Sequence, residues 1–275
     1  ALHRQALSHG ALGIGLPLDY MSKAVGDDEL IALFSVAAEW KAPVFVHIRR
    51  GLPGDLSGLD TVINLAEITG AAVHLCHLQA SAMTGTNEAM ARISAAKERG
   101  VRVTTEAYPY NAGSTTISAA VFRRNWRDIF SIDYSDVQWG ATGERLTEQT
   151  FNTYQKEQPD GFVVHHYGRS ADTDAVLRDP NIMVASDAMP LDDNSDFAHP
   201  RGMGTFMRSL SRYVDEFDAE GQVSLADMIA KMTVLPARLL ASIRPELSGK
   251  GHLSAGADAD VVILNPSQLD DRSTY

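Results

Sequence analysis

The sequence has one cysteine, Cys76, and no long uninterrupted apolar run. A single cysteine cannot form an internal disulfide, so a disulfide-stabilised scaffold is excluded and a reducing, cytoplasmic location is expected. A membrane helix needs about 20 mainly apolar residues, whereas the apolar run at residues 44–48 is short and contains a histidine. Residues 1–7 lack the features of a signal peptide. We therefore expect a soluble protein with no membrane association.

Positive charge is also scarce. The 24 Lys and Arg residues are outnumbered by 35 Asp and Glu residues, which gives a formal net charge of −11. Because such a chain repels polyanions, nucleic acids and anionic membrane surfaces are not expected as partners. In contrast, 275 residues of which 44% are hydrophobic are enough to bury a core, so intrinsic disorder is excluded.

Short apolar runs rich in β-branched residues alternate with helical stretches. Strands are predicted at residues 43–48, 72–78, 101–107, 162–166 and 182–186, and helices at 59–69, at 87–99 and from Ser224 to Lys231. The strands show continuous rather than alternating hydrophobicity, which is typical of a parallel sheet covered by helices on both faces. The pattern predicts an α/β protein.

Two segments depart from this rhythm. Residues 108–160 are too many for a simple connection, and they are predicted to form an inserted lid or subdomain. Residues 246–275 have short strand-like runs between turns, which predicts the start of a small β-rich domain. The remainder of residues 1–245 is predicted to form the main α/β unit.

Two histidines follow neighbouring predicted strands. His47 and His77 are 30 residues apart, about the length of one βα unit. Neighbouring parallel strands end at the same edge of a sheet, so the two side chains are expected to lie together. Neutral imidazole is a good zinc ligand, but two histidines do not complete a zinc site. The alternative is a pair of hydrogen-bonded core histidines.

A third polar side chain, Asp187, follows the strand predicted at residues 182–186. A buried carboxylate needs a partner. A metal ion or its bound water would serve, and the alternative is an aspartate that caps a helix or accepts backbone N–H groups. The sequence pattern alone leaves both interpretations open.

Motifs along nearly the whole chain resemble one enzyme family. They lie at residues 9–13, 46–49, 76–78, 106–114, 186–187, 199–206, 231–238 and 256–260. Their order and spacing resemble those of the N-acyl-D-amino-acid deacylases, which are metal-dependent amidohydrolases. The resemblance implies a TIM-type (β/α)8 barrel, of which this chain holds the later strands.

The resemblance also implies roles for five residues. His47 and His77 correspond to the zinc ligands of barrel strands five and six, and Asp187 to the aspartate of strand eight that transfers the proton. Arg201 resembles the residue that binds the substrate carboxylate, and Tyr110 a tyrosine of the pocket wall. The implied cofactor is zinc, as one or two ions, and the implied substrate is an N-acyl amino acid, hydrolysed to a carboxylate and a D-amino acid.

The chain departs from the family at several positions. Gln79 stands where the deacylases commonly have a lysine that helps bind the carboxylate, and the His-x-His pair of strand one and the bridging ligand are not in this sequence. Cys76 does not replace that ligand, because it precedes His77 and should point the other way. Adjacent His165 and His166 should also face opposite ways, and neither is assigned a catalytic role.

These departures keep two other functions open. One is an amidohydrolase that acts on a cyclic amide, of the hydantoinase or dihydroorotase kind. The other is a non-catalytic, incomplete barrel that binds metal or a partner. Since five or six strands cannot close an eight-stranded barrel, further segments, a second copy or a partner chain would have to supply the missing strands.

Overall fold

The computed structural model describes residues 1–20, 24–189, 198–214, 223–265 and 268–275. The acidic stretch at residues 192–196, for which a solvated loop is predicted, lies outside the described residues. Eight strands are assigned within these ranges: β1 (Ile14–Pro17), β2 (Pro43–His47), β3 (Ala72–Leu75), β4 (Val103–Ala107), β5 (Gly113–Thr116), β6 (Val137–Trp139), β7 (Phe162–His165) and β8 (Met183–Val184).

The same ranges contain eleven α-helices. They are α1 (Leu2–Ser8), α2 (Asp27–Glu39), α3 (Ser57–Thr69), α4 (Leu78–Ala82), α5 (Thr86–Glu98), α6 (Trp126–Phe130), α7 (Glu148–Glu157), α8 (Ser170–Arg178), α9 (Arg201–Tyr213), α10 (Leu225–Met232) and α11 (Val234–Ala241). Within the described ranges, no helix is both long and apolar enough to cross a membrane.

A parallel sheet of five strands, in the order β1-β2-β3-β4-β8, forms the centre of the molecule. Each neighbouring pair of strands is parallel. Val44 and Val46 of β2 are fully buried, and they belong to one core with apolar residues of α2, α3 and α5. The predicted α/β architecture is confirmed. Strand β1 was not predicted, because its sequence contains a glycine and a proline that weaken the strand pattern.

The strand predicted at residues 162–166 is not part of this sheet. It forms β7, which pairs antiparallel with both β5 and β6 in a separate sheet of three strands. Its interpretation as a parallel strand of the main sheet is therefore wrong. Val163 and Val164 point to opposite faces of β7, and both are buried. Because β7 is covered on both faces, its sequence shows the same continuous hydrophobicity as a buried parallel strand. The inserted unit extends past residue 160 to His165.

The inserted unit has an aromatic core of its own. Trp126 stacks on Phe151 with ring centroids 5.4 Å apart, and Trp139 stacks on Tyr154 at 4.3 Å. Helix α7 begins at a capping box in which the side chains of Thr147 and its third following residue exchange hydrogen bonds with the backbone. The segment thus contains a sheet and an apolar cluster, and the division into a separate subdomain stays a prediction.

Arg124 of the inserted unit reaches the main sheet. Its Nη2 donates to Oδ1 of Asp19, 2.8 Å away, and its Nη1 donates to the carbonyl oxygen of Arg50 at 3.4 Å. Asp19 lies two residues after β1, and its side chain has no contact with solvent. This ion pair joins the inserted unit to the edge of the sheet where β1 and β2 end.

The last described segments contain less regular structure than the sequence pattern predicts. Ser224 caps α10 as expected, because its Oγ accepts the N–H of Asp227. Between residues 246 and 275, the described residues form a 3₁₀ turn and extended backbone without paired strands. Val262 and Ile263 are 85% and 94% exposed. A strand needs a neighbour for its backbone hydrogen bonds, and this segment has none within the described ranges.

Candidate active site

His47 and His77 meet at the carboxyl end of the parallel sheet. His47 is the last residue of β2, and His77 follows β3 by two residues with a left-handed φ of +36°. The Nδ1 atom of His47 lies 2.9 Å from Nε2 of His77. The structure therefore brings together the two histidines that the 30-residue spacing selected.

Both imidazoles are neutral at pH 7. Burial lowers the pKa of His47 well below its ordinary value, and the positive charge of Arg50 lowers it further. Burial also lowers the pKa of His77, although the negative charge of Asp187 opposes the shift. The environment thus keeps each ring in the form that can offer a lone pair to a metal ion.

The hydrogen bonds fix which nitrogen of each ring carries the proton. Nη2 of Arg50 lies 2.8 Å from Nε2 of His47, and a guanidinium can only donate. Nε2 of His47 is therefore the acceptor, and the proton is on Nδ1, which donates to Nε2 of His77. His77 then carries its proton on Nδ1, which is 3.1 Å from Oγ of Ser81. The two nitrogens that face each other share one proton.

A buried carboxylate lies behind His47. Oδ1 of Asp19 accepts hydrogen bonds from the backbone N–H of Arg50, at 3.1 Å, and from Arg124. Oδ2 is 3.1 Å from Nε of Arg50 and 3.7 Å from Nε2 of His47, and it makes no hydrogen bond. Burial alone would raise the pKa of Asp19, but His47 and Arg50 outweigh it and hold the pKa far below the usual range.

Asp187 and Arg201 form an ion pair in the same region. Nη1 of Arg201 lies 2.8 Å from Oδ2 of Asp187, whose side chain is 34% exposed. Arg201 is buried, its Cζ atom is 4.8 Å from the ring centroid of Tyr108, and its Nη2 donates to the carbonyl oxygen of Ser114. The Nε atom of Arg201 is buried and makes no hydrogen bond with the described residues. One guanidinium N–H is thus left without an acceptor.

His199 sets the start of the helix that carries Arg201. Its Nε2 donates to the carbonyl oxygen of Ala112 at 2.8 Å, and its Nδ1 accepts the backbone N–H of Arg201 at 3.1 Å. Since a carbonyl can only accept, the proton of His199 is on Nε2. The histidine therefore links the inserted unit to the first turn of α9.

Four of the five predicted site residues, His47, His77, Asp187 and Arg201, line one small cavity of about 20 Å³. Tyr110 does not line it. Instead, Tyr110 lines a neighbouring cavity of about 190 Å³, and its hydroxyl lies 3.1 Å from Oγ of Ser273. The residues that line the small cavity are Tyr20, His47, Arg50, His77, Ala80, Tyr108, Gly113, Ser114, His165, Tyr167, Asp187 and Arg201.

Comparison with known proteins finds similar enzymes. No protein-family model matches the chain. The chain is 31% identical to an N-acyl-D-glutamate deacylase from Alcaligenes xylosoxydans xylosoxydans over 98% of its own length and 55% of that protein. A crystal structure of N-acyl-D-glutamate deacylase from Bordetella bronchiseptica, complexed with zinc and a phosphonate inhibitor, superposes with a TM-score of 0.81 at 27% identity, covering 98% of this chain and 56% of that one.

The chain is a relative of the N-acyl-D-amino-acid deacylases. Its parallel sheet corresponds to part of their TIM-type amidohydrolase barrel. A dihydroorotase from Syntrophus aciditrophicus is also similar, at 29% identity over 81% of this chain and 44% of the dihydroorotase. The chain spans about half the length of the curated relatives that it matches.

The donor set is suited to the zinc held by the deacylase relative. Two nitrogens on one tetrahedral zinc ion, each about 2.0–2.1 Å from the metal, are about 3.3 Å apart, which is close to the observed 2.9 Å between His47 and His77. Among the described residues, no group of three or more His, Cys, Asp or Glu side chains is arranged to hold a metal. The two imidazoles therefore fit as part of a ligand set, and they do not complete it.

Sequence reasoning missed Tyr108 and Arg50, which line the cavity, and Asp19, which lies beside it. Tyr108 follows β4 directly, and Asp19 and Arg50 lie within three residues of the ends of β1 and β2. The strand-end rule that selected His47 would have found Tyr108 and Arg50, but it could not have found Asp19, because β1 was not predicted. The adjacent histidines face opposite ways, as the sequence predicts. His165 lines the cavity, whereas the His166 ring contacts Tyr275 outside it.

Gly113 leaves room for His165. A Cβ atom at this position would lie 2.8 Å from Cε1 of the His165 ring, which is closer than real side chains approach each other. The absence of a side chain at residue 113 thus allows the imidazole to lie against β5 at the wall of the cavity.

We expect the zinc-free protein to lose stability as the pH falls below 6.5. Burial lowers the pKa of His165 and His199, and it lowers that of His166 to about 4, with further contributions from nearby arginines. These histidines bind fewer protons when folded than when unfolded, so stability is complete above about pH 6.5 and falls below it. A single histidine that stays neutral when folded contributes a loss of about 1.4 kcal/mol at pH 5.5.

Urea unfolding of the full-length protein at pH 7.5 and 5.5, with a chelator present, measures this effect. Both pH values lie above the ordinary pKa of Asp and Glu side chains. A His166→Gln variant should show a smaller difference between the two pH values. Equal unfolding free energies at both pH values in the wild type would contradict the assignment of neutral buried histidines.

Proposed function

We propose that this chain forms part of a zinc-dependent amidohydrolase that cleaves the amide bond of an N-acyl-D-amino acid, giving a carboxylate and a D-amino acid. The observation that carries the proposal is the meeting of His47 and His77, both neutral, with the Asp187–Arg201 ion pair in one cavity. The cavity lies where barrel active sites lie, at the carboxyl end of the parallel strands. The similarity to N-acyl-D-glutamate deacylases supports the same reaction class.

His47, through Nδ1, and His77, through Nε2, are the residues that would hold the metal. Bound zinc supplies a Lewis acid that polarises the amide carbonyl and makes a water molecule more acidic. The protein contributes two neutral imidazoles that are largely removed from water, and that of His77 is oriented by Ser81. The remaining ligands lie outside the set that the described residues provide.

Asp187 is the residue that moves the proton. Arg201 holds one oxygen of its carboxylate at 2.8 Å, which fixes the orientation of the side chain in the cavity. The carboxylate accepts a proton from the attacking water and then gives it to the leaving amine, which is a poor leaving group while it is unprotonated. One residue therefore serves both halves of the hydrolysis.

Arg201 is the residue that would bind the substrate carboxylate. Its buried Nε–H has no acceptor among the described residues, and an unpaired buried donor is costly until it is satisfied. The cavity wall contains the cations Arg50 and Arg201 but only one described carboxylate, that of Asp187. Arg50 is paired with Asp19 beside the cavity wall, so the support for an anionic substrate is the unsatisfied Nε–H of Arg201 rather than an excess of positive charge.

Hydrolysis of a cyclic amide is the second candidate. Gln79 replaces the lysine common in the deacylases, and its Nε2 donates to the carbonyl oxygen of Tyr108. Its Oε1 is buried and makes no hydrogen bond, so it can accept a donor such as the N–H of a cyclic amide. The similarity to a dihydroorotase supports this candidate.

The first test compares substrates and zinc content in the full-length protein. We expect N-acyl-D-amino acids to be hydrolysed faster than their L-enantiomers, hydantoins or dihydroorotate. His77→Ala should lower the bound zinc and the activity together, because it removes one of two converging ligands. Faster turnover of a cyclic amide would favour the second candidate. A folded wild-type protein without zinc or activity would identify a non-catalytic barrel.

Asp187→Asn should lower kcat by about 10²–10⁴-fold, since the amide keeps the size of the side chain but cannot accept the proton. The zinc content should stay near that of the wild type. Asp60→Asn, which changes an exposed carboxylate paired with Arg92, is the matched control and should leave kcat unchanged. Normal turnover in the Asp187 variant would exclude it as the proton-transfer group.

Arg201→Lys should lower kcat/KM on a substrate with a free carboxylate. Lysine keeps a positive charge beside Asp187, but it cannot offer two parallel N–H groups. The carboxamide analogue of the same substrate should lose less, because it does not depend on that contact. Kinetics on both substrates measure the difference, and equal losses would show that Arg201 does not recognise the carboxylate.

A further inference from the structure

We infer that Asp19 is a positioning residue for His47. When Nδ1 of that ring binds a metal ion, the Asp19 carboxylate accepts a hydrogen bond from Nε2–H. The inference rests on one part of the proposed function, namely a metal ion at His47 and His77. It adds a buried carboxylate that touches neither the substrate nor the metal.

The position of the ring proton of His47 leads to this role. Nδ1 faces Nε2 of His77, so Nδ1 is the nitrogen that would bind a shared metal. In the described arrangement that nitrogen carries the proton, because Nε2 accepts a hydrogen bond from Arg50. A neutral ring that offers the Nδ1 lone pair to a metal must carry its proton on Nε2. The new Nε2–H then needs an acceptor.

Asp19 provides that acceptor. Its Oδ2 is 3.7 Å from Nε2 of His47, is buried, and makes no hydrogen bond. The group now facing Nε2 is the guanidinium of Arg50, which has no acceptor atom. The guanidinium groups of Arg50 and Arg124 lie 3.1 and 2.8 Å from the Asp19 carboxylate, which makes it an ionised acceptor. The shift in hydrogen bonding needs only a small approach of two side chains.

Arg50 can leave Nε2 of His47 without losing its other partners. Its Nη2 also donates to the hydroxyl of Tyr20 at 3.1 Å, and its Nε lies 3.1 Å from Oδ2 of Asp19. Its Cζ atom lies 5.1 Å from the centroid of the Phe130 ring. A protonated Nε2 would repel the guanidinium, which turns away while its charge remains compensated. The exchange therefore leaves no buried charge alone.

A carboxylate in this position orients the imidazole and increases its basicity toward the metal. Removal of such an acceptor typically lowers metal affinity by about 10–100-fold. Asp19 also binds Arg124, which is a structural contact through the other oxygen, Oδ1. The two roles use different oxygens of one carboxylate, so variants can separate them.

The test measures zinc affinity in the full-length protein by competition with a chelator. Asp19→Asn should raise the Kd for zinc by about 10–100-fold. The matched control is Arg124→Gln, which removes the Oδ1 contact and leaves Oδ2 beside His47. It should lower the thermal stability of the zinc-free protein and leave the zinc Kd within about twofold of the wild type.

Nitrogen-15 spectra of the histidine rings provide a second readout that does not depend on the folding of a variant. In the zinc-loaded wild type, His47 should carry its proton on Nε2 and bind the metal through Nδ1. A His47 ring bound through Nε2 would overturn the inference. Equal zinc affinity in Asp19→Asn and the wild type, or equal losses in Asp19→Asn and Arg124→Gln, would overturn it as well.

These outcomes separate the inference from the proposed function. If the wild type binds zinc in a His77-dependent way and hydrolyses an N-acyl-D-amino acid, but Asp19→Asn binds zinc equally well, only the role of Asp19 is wrong. If the wild type holds no His77-dependent zinc, both the proposed function and the role of Asp19 are wrong.

Discussion

Parallel pairing of the strands is the constraint on which the site depends. Because neighbouring strands run in one direction, their carboxyl ends lie at one edge of the sheet, and the residues that follow them converge. His47 is the last residue of β2, and Tyr108 directly follows β4. Asp19 and His77 follow β1 and β3 by two residues each. The fold thus brings together side chains that are far apart in the sequence.

Charge compensation sets the chemistry of the converging groups. Asp19 is paired with Arg50 and Arg124, and Asp187 with Arg201, so both of these carboxylates have a guanidinium partner. Buried charges persist only when they are paired and hydrogen-bonded. Surrounded by these pairs and removed from water, the histidines stay neutral, which is the form that binds a metal.

The sequence predicted those features that depend on spacing along the chain. The distance of 30 residues between His47 and His77 was sufficient, because one βα unit sets that distance. The antiparallel pairing of β7 was not predictable in the same way, since Val163 and Val164 are buried on opposite faces by different layers and the run resembles a parallel strand. The contact between Asp19 and Arg124 joins residues 105 positions apart, and no local pattern records it.

The ion pair between Arg124 and Asp19 also bears on how molecules reach the histidines. If the inserted unit moved away from the sheet, the buried carboxylate of Asp19 would lose Arg124, which is one of its two guanidinium partners, and would keep only Arg50. The contact between His199 and Ala112 would break with it. Both contacts oppose movement of the inserted unit away from the sheet, which favours a route to the histidines that does not require this unit to open.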